Sequence, residues 1–82
     1  MAKKKHIGGI KMLEEMFIKC PWYKKMQLLR VANGWSQFQA GEKCSTYHKN
    51  YWQWEKGEIY PSLRNRKIIA RVFGVKIEYI FN

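Results

Sequence analysis

Eighty-two residues, 46% of them hydrophobic and with only 6 Gly and 2 Pro, make one small domain with a modest core and exclude a chain disordered throughout. Sixteen Lys and Arg against six Glu and no Asp leave a net charge of +10, which draws the molecule toward polyanions, nucleic acid or an acidic membrane; the bland alternative is a solvated basic surface. No run approaches the ~18 apolar residues of a membrane span, and Lys11, Glu14 and Glu15 interrupt any signal core, so a cytoplasmic place is expected.

Met1 to Gly9 read as a basic, then glycine-rich tail, able to lie along phosphates or simply to be a loose terminus. Ile10 to Cys20 has apolar residues at Ile10, Leu13, Met16, Phe17 and Cys20, the spacing of a short amphipathic helix. It can dock on the domain, pair with a second copy or lie on a membrane; its polar face of two Glu and two Lys ranks the membrane last. Pro21 ends it and opens the next helix, whose inward stripe is Trp22, Met26, Leu29 and Ala32. Asn33-Gly34 stops that helix, and Trp35 follows as a core anchor. Residues 1–20 are thus set apart from a domain over 21–82.

Ser36 is an N-cap for a helix running to about Cys44, with Ala40 and Cys44 on its inner face. Ser45-Thr46 make a break. A helix from about Tyr47 to Lys56 follows, Tyr51 and Trp54 inward, and Gly57 ends it. After a loop at Glu58 to Pro61, Ser62 caps a helix from Leu63 to Phe73 with Leu63, Ile69, Ala70 and Phe73 inward, closed by Gly74. Val75 to Phe81 suits a strand or a last helical turn, and Ile77, Ile80 and Phe81 favour the turn. The fold class is all-α: five short helices held by mutual packing, plus the N-terminal one.

Cys20 and Cys44 have no CxxC partner pattern and, with two scattered His, make no zinc site; neither metal nor cofactor is expected. Cys44 reads as a small buried hydrophobe. A disulfide is not expected in a cytosolic protein.

Ser36-Gln37, Trp54-Glu55-Lys56-Gly57, Pro61-Ser62-Leu63 and Ile69-Ala70 leading to Phe73-Gly74-Val75 occur in this order between Trp22 and Phe81. In these words the chain resembles the phage lambda repressor and Cro-type helix-turn-helix domain over about three quarters of its length. The resemblance implies a compact five-helix fold that binds operator DNA, usually as a dimer. A helix-turn-helix braces one helix across the backbone and lays a second in the major groove. The outward positions of the second helix are His48, Lys49, Trp52 and Gln53. Lys49 can donate to guanine, Gln53 can pair bidentately with adenine, His48 can donate or accept, and Trp52 can cover a thymine methyl or lie on the sugar-phosphate wall. The resemblance assigns base reading to His48, Lys49 and Gln53; otherwise they form a solvated helix face.

Gln37 sits where backbone amides at a helix start favour a phosphate. The resemblance makes it a phosphate clamp, and a plain solvent-facing Gln is the equal alternative. Lys43, Asn50, Lys56 and the loop at Glu58 to Tyr60 are further candidates for backbone contact, and Arg64 and Arg66 can reach the same strand. The resemblance also implies an ion pair of Arg30 with Glu55, tying the first helix to the recognition helix; two independent surface charges are the alternative.

The chain departs from the family pattern in places. Ser45 stands where a left-handed Gly is usual, at a cost of about 1 kcal/mol unless the turn takes another shape. Ala40 and Gly41 replace Leu and Ala, while Tyr51 replaces Ile; two smaller residues and one larger suggest compensating volume in one core. Tyr51 then needs a partner for its hydroxyl. Arg66 and Lys67 put charge where relatives are often apolar, against a dimer surface on that helix.

Enzyme classes are excluded: there is no Asp, no acid–base partner for Glu14-Glu15, no Gly-rich phosphate loop, no nucleophile elbow and no HExxH. The expected function is a sequence-specific double-stranded DNA-binding transcriptional regulator, a repressor of phage or mobile-element type. It would act as a homodimer on a pseudo-palindromic operator, in the cytoplasm of a bacterial or phage-infected cell. With no second domain, control is expected through abundance or a partner protein. The alternative is an antitoxin-like or adaptor module on the same fold, with residues 10–20 as the protein-binding part. A third reading is non-specific nucleic-acid binding through the basic surface and exposed aromatics such as Trp52.

Overall fold

Capping chemistry divides this chain into short helices, and the computed structural model describes them over residues 12–81. The basic tail, Ile10 and Lys11 lie outside that range. Residues 12–19 form α1. Pro21 then serves as N-cap of α2, Trp22–Ala32. In α3, Gln37–Lys43, the Ser36 hydroxyl accepts from the Gln39 amide at 3.0 Å while the Gln39 side chain accepts from the Ser36 amide at 2.8 Å, a reciprocal capping box. Tyr47 precedes α4, His48–Glu55. The Ser62 hydroxyl caps α5, Leu63–Phe73, accepting from the Asn65 amide at 3.2 Å. A single turn, α6, spans Ile77–Ile80, so the last segment is helical and not a strand.

Helices α2 to α5 all end the same way. A residue with positive φ follows each, its amide donating to a carbonyl three residues back while the next amide reaches five back: Gly34 and Trp35, Ser45 and Thr46, Gly57 and Glu58, Gly74 and Val75. This is the Schellman closure, which satisfies the last carbonyls of a helix. Three closures use glycine, at φ 70 to 74°; the fourth uses Ser45 at φ 55°.

The core is built from Met26 of α2, Ala40 of α3, Cys44, Tyr51 and Trp54 of α4, Ile69 and Phe73 of α5, and Ile80 and Phe81 at the end. Trp22, Leu29, Trp35, Ile68, Val72, Val75 and Ile77 pack around it. Aromatic edges join the start of α2 to the loop and the C-terminus: Trp22 meets Tyr60 edge-on at 5.1 Å, and Tyr60 meets Phe81 edge-on at 6.0 Å. Trp35 stacks on Phe73 at 5.7 Å.

Two expected core positions, Leu63 and Ala32, lie outside it, and so does most of the apolar face of α1. Leu63 is 52% exposed in the first turn of α5, while Pro61 just before the cap is buried. Ala32 is exposed in the last turn of α2, where the core contact passes to Trp35. Leu13 and Met16 are exposed because α1 meets the body only near its C-terminal end. There Phe17 stacks on Tyr79 of α6 at 4.9 Å and faces the buried Lys25 ammonium at 5.8 Å. Residues 12–19 are helical as the spacing predicts, and of the open roles for this helix the structure shows a contact with the body through Phe17. Among the described residues no helix is long and apolar enough to cross a membrane.

Candidate nucleic-acid interface

The pairing of α3 with α4 starts at Gly41. A Cβ built there would lie 3.2 Å from His48 Cα, closer than side-chain carbons normally come to backbone, and in ordinary contact with Thr46 O at 3.5 Å. Gly41 therefore lets the first residue of α4 lie against α3. The sequence suggested that Gly41 offsets the volume of Tyr51, and the structure gives it this different role. Ala40, next to it, does share the core with Tyr51.

From that contact α4 runs with Tyr51, Trp54 and Glu55 buried and His48, Lys49, Asn50 and Trp52 exposed; Gln53 is half-buried at the edge. The inner face is pinned by charge. Arg30 Nε donates to Glu55 Oε2 at 2.6 Å, and Arg30 Nη2 donates to Oε1 at 3.1 Å. Arg30 Nη1 also donates to the Trp35 carbonyl at 2.9 Å. The bidentate hydrogen bond to Glu55, set against burial, raises the Arg30 pKa further above its ordinary value, so the guanidinium stays charged. With the Glu55 side chain 3% exposed and that of Arg30 13%, loss of one partner would strand a buried charge, at a cost of about 3–5 kcal/mol.

Gln37 belongs to this network. Its amide donates to Glu55 Oε1 at 3.2 Å, which ties the start of α3 to α2 and α4. The side chain is thus neither simply solvent-facing nor idle, and a phosphate would have to engage it from this position. Tyr51, which the sequence left in need of a partner, finds none: its buried hydroxyl has no hydrogen bond among the described residues. The neighbouring Glu55 carboxylate accepts from Arg30 at both oxygens and from Gln37 at Oε1. Burial, with the Glu55 charge adding to it, pushes the Tyr51 hydroxyl pKa far up.

Around the outer face, cations rest on rings. Lys56 Nζ lies over Trp52 at 4.4 Å and 4.0 Å from Glu58. Lys43 Nζ lies over Trp35 at 4.7 Å. Asn50 donates to the Thr46 hydroxyl at 3.1 Å, bracing the turn before α4. Arg64 is exposed in the first turn of α5. Arg66 is held differently: Nε donates to the Pro61 carbonyl at 3.1 Å, and the guanidinium lies 4.8 Å from the Tyr60 ring centroid. Those contacts bind it to the loop, so Arg64 and Arg66 are not equivalent.

Two residues beside the predicted readers were missed by the sequence reading. Phe38 of α3 is 56% exposed with its ring 5.7 Å from that of His48. Tyr47, before α4, is 82% exposed. An apolar residue just after a helix cap, off the inward stripe of Ala40 and Cys44, was the available hint for Phe38.

Cys44 is buried, and burial pushes its thiol up to about 11, so it is a neutral packing group. Cys20 and Cys44 are both free thiols. No group of three or more His, Cys, Asp or Glu that could hold a metal occurs among the described residues. Comparison with protein-family models, with curated proteins and with solved structures finds no match to this chain.

Proposed function

We propose that this chain is a sequence-specific double-stranded DNA-binding regulator on a lambda-repressor-like helix-turn-helix fold, a repressor of phage or mobile-element type that acts in the cytoplasm as a homodimer. The observation that carries the reading is the two-sided construction of α4. One side, Tyr51, Trp54 and Glu55, is buried and pinned through Arg30 to α2 and through Gln37 to α3. The other side holds His48, Lys49 and Trp52 out, with Gln53 at the edge. A single α-helix fits the major groove, and these side chains are suited to base edges: lysine to guanine, glutamine to adenine, histidine to either. Lys43, Asn50, Lys56 and Arg64 then surround the helix as phosphate contacts. The net charge of +10 supplies the long-range attraction.

Selection from a random duplex pool tests this. The expected product is a two-fold symmetric site with half-sites about one helical turn apart. His48→Ala, Lys49→Ala and Gln53→Ala should each lose about 1–3 kcal/mol of discrimination at one base position while retaining weak binding to any duplex. Unchanged site preference in all three would remove the assignment to α4.

A second reading has its own observation. Met12, Leu13, Met16 and Ile18 of α1 are each about 60% exposed, and a shallow groove lined by Leu29, Val75 and Tyr79 lies beside Lys76 and Glu78. Clustered exposed apolar surface suits a protein partner, as in an adaptor or antitoxin-like module. The same selection separates the readings, since a module that binds DNA only secondarily enriches no site.

A further inference from the structure

We propose that Phe38 completes the base-reading surface, its ring covering the 5-methyl group of a thymine next to the base addressed by His48. The proposal rests on the DNA reading above and names what one part of that surface recognises. Of the four phenylalanines, Phe73 and Phe81 are buried and Phe17 is half-buried against Tyr79; Phe38 is the exposed one, at 56%. It is not an isolated surface hydrophobe. Its ring centroid lies 5.7 Å from that of His48, the planes inclined by 39°, at the joint where Gly41 brings α3 against the first residue of α4.

This contact has two consequences. The His48 imidazole has a flat wall on one side, which limits its orientations and fixes where it meets a base edge. The 5.7 Å between the ring centroids is under two base steps, since successive pairs are about 3.4 Å apart along the axis, so the Phe38 ring comes within two pairs of any base pair that His48 reaches. The thymine methyl is the one apolar group that a base presents in the major groove, and a phenylalanine ring is a suitable cover for it. Lys49 and Gln53 offer only polar ends to the same groove, and the Trp52 ring, one turn further along α4, carries Lys56 Nζ at 4.4 Å, so the methyl beside His48 falls to Phe38.

The test uses the full chain and the site obtained from the random pool. Each thymine of that site is replaced in turn by uracil, which removes the methyl and leaves base pairing intact. At one thymine per half-site, uracil should weaken wild-type binding about fourfold, the effect of burying one methyl group. Phe38→Ala should bind the thymine and uracil duplexes equally; its melting curve confirms the fold, since the side chain is exposed and outside the core. A uracil penalty that persists in Phe38→Ala, or a scan without any sensitive thymine, overturns the contact and leaves sequence reading intact. A pool that yields no preferred site overturns the DNA reading and this contact with it.

Discussion

Tyr51 shows how a single atom can be out of step with a well-made site. Its ring packs in the core with Cys44 and Trp54, but its hydroxyl, close to the Glu55 carboxylate that Arg30 and Gln37 engage, makes no hydrogen bond among the described residues. A buried hydroxyl without a partner costs about 1–3 kcal/mol, so Tyr51→Phe should stabilise the domain by about 1 kcal/mol. For a chain of this size that is a rise of roughly 4–8 °C in Tm. The variant also separates two alkaline effects. Burial lifts the Cys44 thiol from 9.0 to about 11 and lifts the Tyr51 hydroxyl above 10.0. The unfolded chain therefore sheds these protons first, from about pH 9 upward, while the folded chain keeps them. Both groups support the fold fully below pH 9 and lose that support as pH rises toward their folded values. Melts between pH 7 and 10.5 should show wild-type Tm falling above pH 9, and Tyr51→Phe falling less. A lower Tm for Tyr51→Phe at pH 7 would mean that the hydroxyl has a partner after all.

Element boundaries were legible because they are written in short-range chemistry. Ser36 and Ser62 announce helix starts, and Gly34, Gly57 and Gly74 announce ends, each through hydrogen bonds made within a few residues. Docking depth was not legible. Periodicity says which face of a helix is apolar and says nothing of how far a neighbour extends along it, so Leu63 shares a stripe with core residues, Leu13 and Met16 share one with half-buried Phe17, and all three still face outward. Gly41 and Lys25 are a similar case, since their meaning lies in a residue brought close by the fold, His48 for one and Phe17 for the other. The turn between α3 and α4 sits between these extremes. Its closure repeats that of the other three helices, yet Ser45 takes φ 55° without the freedom of glycine. A side chain in that region costs about 1–2 kcal/mol, and the greater entropy of unfolded glycine returns part of the gain. Ser45→Gly should therefore stabilise by about 0.5–1 kcal/mol. Chemical denaturation would register it as a higher midpoint with unchanged slope. A neutral or destabilising result would show that Ser45 contributes something in this turn that glycine cannot.

Charge acts at the scale of the whole molecule, and its placement matters more than its sum. Among the described residues, Glu55 is consumed by Arg30 and Glu58 lies against Lys56, and most of the other Lys and Arg there have no acidic partner. That surplus predicts tight binding at low salt and a steep loss as salt rises, whatever the duplex. Individual cations differ in what they are free to do. Arg64 projects from the first turn of α5, where a positive side chain opposes the helix dipole and adds nothing to local stability. Arg66, two residues on, is spent on the Pro61 carbonyl and the Tyr60 ring. Removing each should give opposite signatures. Arg64→Ala should leave the melting temperature nearly unchanged. It should flatten the slope of log K against log salt by about 0.9, equally for the selected site and for random duplex, as expected for one lost phosphate contact. Arg66→Ala should lower Tm through the lost carbonyl hydrogen bond and ring contact, by about 1–2 kcal/mol of stability, while the salt slope of the folded protein stays near that of the wild type. The measurement is a salt titration of binding paired with a thermal melt for each variant. If Arg64→Ala left the slope untouched, the phosphate track would not cross the start of α5. The phosphate contacts of the proposed DNA reading would then fall to Lys43, Lys49, Lys56 and the basic tail.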